Sequence, residues 1–152
     1  MTDCIFCRII RGELPATRVY EDADVLAFMD IFPLRRGHVL VIPREHQVQL
    51  HQLSPEVRGR LIDTGARIAQ ALYASSLQPA AAHFAINDGP AAQQSVPHVH
   101  LHVLPRYAGD GGRFLLRLLR KPFDLALGPA AAGGLEADAA AIRAALAKID
   151  GH

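Results

Sequence analysis

Along the N-terminal third of the chain, apolar positions fall in short runs separated by charged or turn residues. TRVYED (17–22) and DVLAFMD (24–30) are rich in branched and aromatic side chains and flanked by acids. HVLVIP (38–43) is a compact apolar run that starts after Gly37 and stops at Pro43. Runs of this length and make-up predict strands. The period then changes. Val57, Leu61, Ile68 and Leu72 recur at helical spacing and predict one apolar stripe on a helix. Its start is marked three ways: Ser54 as N-cap, Pro55 at the first helical position, and Glu56 at the positive end of the helix dipole. HFAIN (83–87) predicts the next strand and DGPAAQQS (88–95) a loop. HVHLHVLP (98–105) predicts a last strand closed by its proline.

The order is β-β-β-α-β-β with hairpin-length connections around a single helix. That predicts an α+β layer architecture: an antiparallel sheet of about five strands with the main helix packed on it. Beyond Tyr107 the character shifts. RFLLRLLRK (113–121) reads as a short amphipathic helix, and an Ala/Gly/Pro-rich stretch follows it. Ala139, Ile142, Leu146 and Ile149, at 3–4–3 spacing, mark a final helix.

Composition narrows the class. A chain of 152 residues fits one domain with a real core. A formal charge of +1 gives no global pull towards nucleic acid or membrane. Trp is absent, which weakens a base-stacking role. The first residues lack the apolar run of a signal peptide, and no stretch approaches the ~20 apolar residues of a membrane span. The expected location is therefore the cytoplasm, where the two cysteines stay reduced.

The chemistry is concentrated in HVHLHVLP. On a strand, Val99, Leu101 and Val103 point to one face and His98, His100 and His102 to the other. Three readings of those imidazoles stand side by side. They form a polar exposed face, or they hold a catalytic metal, or one of them is a nucleophile flanked by helpers. A neutral imidazole attacks phosphorus well at pH 7 when its far nitrogen is held as N–H and donors face the phosphoryl oxygens. A second cluster begins at CIFC (4–7). This Cys-x₂-Cys is ambiguous between redox chemistry and zinc, although no thioredoxin-like βαβ pattern follows it.

The run His, apolar, His, apolar, His, apolar, apolar resembles the signature of the histidine triad (HIT) superfamily of nucleotide hydrolases and transferases. CIFCRIIRGELP, VYEDADVLAFMDIFP, RGHVLVIPREH and INDGPAAQQSVP are similar to further family segments, in the same order, over about residues 3 to 110. The resemblance is greatest to bacterial zinc-bearing members of the branch related to the histidine triad nucleotide-binding proteins. It implies a HIT domain over residues 1–110, with residues 111–152 as a C-terminal extension whose terminal helix packs on the same domain. It also implies His100 as the nucleophile towards the α-phosphorus of an AMP-type ester, anhydride or amide, through a nucleotidyl-histidine intermediate. By the same resemblance His102 and His38 hydrogen-bond the phosphate, and Asp30 binds the ribose. Asn87 and Ser95 lie near ribose, phosphate and leaving group, and the loop amides around Gln94 and Ser95 cradle the phosphate. Transferases of the superfamily carry glutamine at the third histidine position, so His102 favours hydrolysis.

The resemblance further implies Cys4, Cys7, His46 and His98 as the ligands of a structural zinc, with no cofactor required for the chemistry itself. A homodimer is implied as well. Two alternatives are carried forward: a nucleotide-binding sensor with little turnover, and a zinc hydrolase using the triad as its metal site. The set at Cys4, Cys7 and His46 argues against the second, because it gives a metal another home. Arg113, Arg117, Arg120 and Lys121 read either as a solvated helix face or as a basic stripe near bound phosphates.

Overall fold

The structure, a computed structural model, describes residues 4–117, 119 and 132–151. Numbered in chain order, the strands are β1 (Arg18–Glu21), β2 (Val25–Met29), β3 (Val39–Pro43), β4 (Ala81–Ile86) and β5 (Leu101–Arg106). The helices are α1 (Ile5–Ile10), α2 (Pro55–Ala74) and α3 (Ala132–Asp150). The strands form one antiparallel sheet in the order β1-β2-β3-β5-β4.

Both faces of that sheet are covered, and the period-2 alternation of the strands divides the core in two. Val25, Ala27, Met29, Val39, Val41, Leu101 and Val103 point to one side and bury against Leu61, Ile68 and Leu72 of α2. Leu26, Phe28, Leu40 and Ile42 point to the other, against Phe6 and Ile9 of α1. This is why β2 and β3 read as continuous apolar runs rather than alternating ones: every residue in them is buried. The expected cap of α2 is present, with the Ser54 hydroxyl accepting from the Val57 N–H at 3.2 Å. Of α3, Leu135, Ala139, Ile142, Ala145 and Leu146 are buried in the same core as α2. Of the stretch 113–121, residues 113–117 are helical, while Arg120 and Lys121 lie outside the described residues.

Two expectations need correction. The last strand does not begin at His98 but at Leu101, and it does not stop at Pro105. β3 pairs only with Leu101–Val103, so at Pro105 one side of β5 has no strand partner and the missing N–H breaks no ladder there. The other edge of β5 runs on beside β4, which starts at Ala81, earlier than its aromatic and branched residues suggest.

Gly65 sets the distance between α2 and β5. A Cβ there would come 2.6 Å from Leu101 Cδ2. Leu101 is 1% exposed, so it has no open space to move into. Gly65→Ala is expected to cost about 1–3 kcal/mol through overpacking. Urea denaturation checks it, and an unchanged midpoint would mean that Leu101 repacks freely. No helix among the described residues is long and apolar enough to cross a membrane.

Candidate active site and metal centre

No helical pattern marks CIFCRII in the sequence, yet residues 5–10 form α1. Its C-terminal signal was legible: Gly12 adopts φ +77° just past the C-cap Arg11, and its N–H returns to the Ile9 carbonyl. On this single turn Cys4 and Cys7, three residues apart, face the same way. Their sulfurs meet two imidazoles brought from elsewhere. Cys4 Sγ lies 3.5 Å and Cys7 Sγ 3.7 Å from His98 Nδ1. Cys7 Sγ is 3.3 Å from His46 Nδ1, and the two Nδ1 atoms are 3.3 Å apart. All four ligand atoms lie within 4.8 Å of one another.

Metal–ligand lengths of about 2.0–2.1 Å for nitrogen and 2.3 Å for sulfur give a tetrahedron with edges of about 3.3–3.8 Å. The four distances above match those edges, so the residues fit one tetrahedral ion. The His98 tautomer suits it too. Its Nε2–H donates to the Pro43 carbonyl at 2.9 Å, leaving the Nδ1 lone pair for the cluster. Burial lowers the His98 pKa to about 4, which keeps the ring neutral. Burial, and then the adjacent Cys4 thiol, push the Cys7 thiol above its ordinary value. Two thiolates this close need a shared cation.

The triad is therefore divided by the fold. His98 turns into the cysteine cluster, while His100 and His102 stay together with ring centroids 5.0 Å apart. His100 is almost wholly buried, and its Nδ1–H donates to the His98 carbonyl at 2.8 Å. A carbonyl only accepts, so Nδ1 carries the proton and Nε2 the lone pair. A second chain of bonds orders the other two rings. The Leu34 N–H donates to His38 Nδ1 at 3.2 Å, and His38 Nε2 then donates to His102 Nδ1 at 2.9 Å. His102 is left with its proton on Nε2. The Asp30 Oδ2–His38 Nδ1 contact, at 3.6 Å, would assign the opposite tautomer to His38. It is too long for a hydrogen bond, so the backbone donor decides.

Asp30, His38 and His102 also bring three ligand atoms within 4.8 Å of one another. However, His38 meets Asp30 with one nitrogen and His102 with the other, on opposite sides of the ring. His38 Nε2 and His102 Nδ1 are engaged in their own hydrogen bond at 2.9 Å, and Asp30 stands outside it, 3.6 Å from His38 Nδ1.

Of the outer residues, Asp30 lies against His38, and Asn87, Gln94 and Ser95 sit on the connection from β4 to β5. Asp30 directly follows β2 and is buried, and its Oδ1 caps the following turn by accepting from the Phe32 N–H at 2.9 Å. Asn87 follows β4, and its amide donates to the Gln93 carbonyl at 3.4 Å. The Gln94 side chain is engaged within its loop, accepting from the Gly89 N–H at 2.9 Å and donating to the Val48 carbonyl at 2.8 Å. What Gln94 can offer a ligand is therefore backbone rather than side chain. Ser95 is exposed on the same loop.

Residues 11–109 match the HIT domain family. The chain belongs to that family. An uncharacterised HIT-like protein of Mycobacterium tuberculosis is 53% identical over 107 residues, covering 70% of this chain and 74% of its own. The adenosine 5′-monophosphoramidase of Schizosaccharomyces pombe is 38% identical over 103 residues, covering 68% and 74%. The crystal structure of a zinc-bound histidine triad family protein from Mycobacterium smegmatis superposes with a TM-score of 0.82 at 40% identity, covering 98% of this chain and 96% of that one.

Within this HIT domain, three groups matter that no reading of side-chain type points to. The carbonyls of Pro43 and His98 and the N–H of Leu34 set the three tautomers. Phe6 of α1 is a further one, visible in the sequence only as an apolar residue. Its ring packs edge-on against His98 at 5.8 Å and His100 at 5.4 Å, and so joins the cysteine–histidine cluster to the inner histidine.

Proposed function

We propose that this HIT protein hydrolyses an AMP-type ester, anhydride or phosphoramidate by covalent catalysis at His100. The observation that carries the reading is the 2.8 Å bond from His100 Nδ1–H to the His98 carbonyl, which directs the lone pair to Nε2. In the first step Nε2 attacks the α-phosphorus, a P–N bond forms, and the bond to the leaving group breaks. His102 Nε2–H donates a hydrogen bond to a phosphoryl oxygen, and the leaving group takes its proton from solvent by way of the Ser95 hydroxyl. In the second step water attacks phosphorus, the P–N bond breaks, the bonding pair returns to His100 Nε2, and the proton of the water passes to solvent. His38 keeps His102 in the required tautomer, and the Leu34 N–H keeps His38 in its own. The loop amides around Gln94 and Ser95, with Asn87, would cradle the phosphate, and Asp30 the ribose.

Zinc at Cys4, Cys7, His46 and His98 is structural in this reading. It would supply a rigid tie between α1 and the residues that precede β5 and take no part in bond cleavage. The cytoplasm, where the two cysteines stay reduced, suits that site. We assign the chain to a homodimer that binds neither nucleic acid nor membrane. Edge strand β4 leaves Phe84 46% exposed, and Ile62 and Tyr73 are exposed on α2, apolar surface suited to a second copy. The monophosphoramidase activity named for the fission-yeast relative supports the nucleotidyl substrate class.

The test is a turnover panel of AMP amidates and diadenosine polyphosphates on purified protein, with acid-quenched mass spectrometry for a nucleotidyl-enzyme. Turnover with an acid-labile adduct is expected. Nucleotide binding with neither turnover nor adduct would make the chain a sensor instead. Ser95→Ala is expected to slow substrates with poor leaving groups most. Equal loss for good and poor leaving groups would remove Ser95 from proton delivery.

A further inference from the structure

The turn before β3 holds His38 from two directions. The His38 backbone N–H donates to the Arg35 carbonyl at 3.2 Å, and the Leu34 N–H donates to the ring at Nδ1, also at 3.2 Å. Asp30 Oδ2 stands 3.6 Å from the same Nδ1. These two neighbours ask for opposite tautomers. A backbone N–H needs the Nδ1 lone pair, whereas a carboxylate needs Nδ1 to carry the proton. The carboxylate would make the stronger bond, because it is charged. It loses here on distance alone, and an approach of about half an ångström would bring it into hydrogen-bond range. The position of the turn therefore selects the tautomer.

What fixes the turn comes from the far end of β5. Asp110 is 5% exposed and lies 2.7 Å from Arg106 and 3.2 Å from Arg35 Nε. It also accepts from the Tyr107 N–H at 3.0 Å, so the carboxylate is itself held in place. The Tyr107 hydroxyl donates to the Arg36 carbonyl at 3.0 Å, and the Arg35 guanidinium lies over the Tyr107 ring at 5.6 Å. Residues 106–110 thus grip the turn by a side chain and by its backbone. Arg35 Nε is buried, and among the described residues it has no hydrogen-bond partner. Its hold on Asp110 is one of charge rather than of aligned hydrogen bonds, in surroundings whose low dielectric strengthens charge pairing.

We infer that Asp110, acting through Arg35, is a positioning residue that keeps the proton of His102 on Nε2. With the turn pinned, the Leu34 N–H takes the Nδ1 lone pair of His38, and His38 Nε2–H donates to His102 Nδ1 at 2.9 Å. With the turn released, His38 Nδ1–H donates to Asp30 instead. The proton between the rings then passes from His38 Nε2 to His102 Nδ1. Solvent takes one proton from His102 Nε2 and returns one to His38 Nδ1, so no charge changes. In that state His102 Nε2 carries a lone pair and has nothing to donate to a phosphoryl oxygen. The catalytic consequence rests on the role proposed for His102 above, whereas the tautomer does not.

The experiment reads the tautomers of His38 and His102 in the nitrogen-labelled full chain by proton–nitrogen correlation spectra, at about pH 8, above the ordinary histidine pKa. Both rings are expected as Nε2–H in the unaltered chain. Arg35→Gln, at a partly exposed side chain, is expected to leave about a tenth of each ring in that form. Asp110→Asn keeps an acceptor for the Tyr107 N–H and is expected to give the same shift. The double variant should shift no further than either single one, since both act through one contact. Arg35→Lys restores a cation and is expected to return both rings to Nε2–H. Thermal melts check that each variant is folded, and Arg35→Gln decides alone should Asp110→Asn unfold. The kcat for an AMP amidate is expected to fall about tenfold in Arg35→Gln, in proportion to the Nε2–H lost, and to recover in Arg35→Lys. Rings that stay Nε2–H in folded Arg35→Gln, Nδ1–H in the unaltered chain, or Arg35→Lys as disruptive as Arg35→Gln would overturn the inference. Tautomers that respond while kcat does not would uphold the clamp and overturn the role of His102 in the proposed reaction, so the two failures are distinct.

Discussion

His100→Ala is expected to lower turnover of an AMP amidate by about a thousandfold or more, while AMP affinity stays within a few-fold. The asymmetry follows from what the ring does. In the proposed mechanism the Nε2 lone pair forms the new bond, whereas nucleotide affinity is assigned to the loop amides, Asn87 and Asp30. The residue is almost wholly buried against Phe6, so truncation leaves a small cavity, and the variant's fold must be checked by its thermal midpoint. His100→Asn is closer to imidazole in size and polarity and is expected to stay folded and hold uncleaved substrate. Single-turnover kinetics with calorimetric AMP binding decide the matter. Near-normal kcat in either folded variant would end the covalent mechanism.

Metal removal is the second large effect. Protein as purified is expected to contain about one zinc per chain, and stripping it to lower the thermal midpoint by more than it lowers kcat. The reason is the position of the cluster. It ties α1 through Cys4 and Cys7 to His46 and His98, and α1 in turn covers the sheet face formed by Leu26, Phe28, Leu40 and Ile42. The stripped protein also acquires a pH dependence. His98 is held neutral in the fold with its pKa near 4, against an unfolded value of about 6.5. A base whose folded pKa is lowered contributes stability fully above the unfolded value and loses it as pH falls. The metal-free protein should therefore weaken between about pH 6.5 and 4, by as much as about 3 kcal/mol. Elemental analysis and paired melts with and without chelator check both parts. Absence of metal from protein prepared without chelator, or a chelator that kills activity and leaves the fold intact, would refute the structural assignment.

Much of this was legible along the chain because it is local. The Ser54 cap, the apolar stripe of α2 and the periodicity of α3 depend on neighbours three or four residues away, and they stand where the pattern places them. So does the alternation at Val99, Leu101 and Val103, which puts the histidines on the opposite side. Family resemblance then connected Cys4 and Cys7 to His46 and His98, a juxtaposition that spacing alone leaves open.

Other features were decided by contacts between distant segments. Side-chain type says that His100 is an imidazole. Only the His98 carbonyl says which nitrogen carries the proton, and only the Leu34 N–H, relayed through His38, says where the proton of His102 sits. Pro105 reads as a strand end until the short overlap of β3 with β5 removes the need for its N–H. Arg113 and Arg117 stand out along the chain as part of a basic stretch, but that they lie beside Arg35 and Arg36 is decided only when the turn before β3 meets the segment after β5. Sequence periodicity determined which face of each element is apolar and which residue types were available for chemistry. Protonation states, ligand geometry and the clustering of charge came from long-range packing, since each depends on a partner whose position no local pattern specifies.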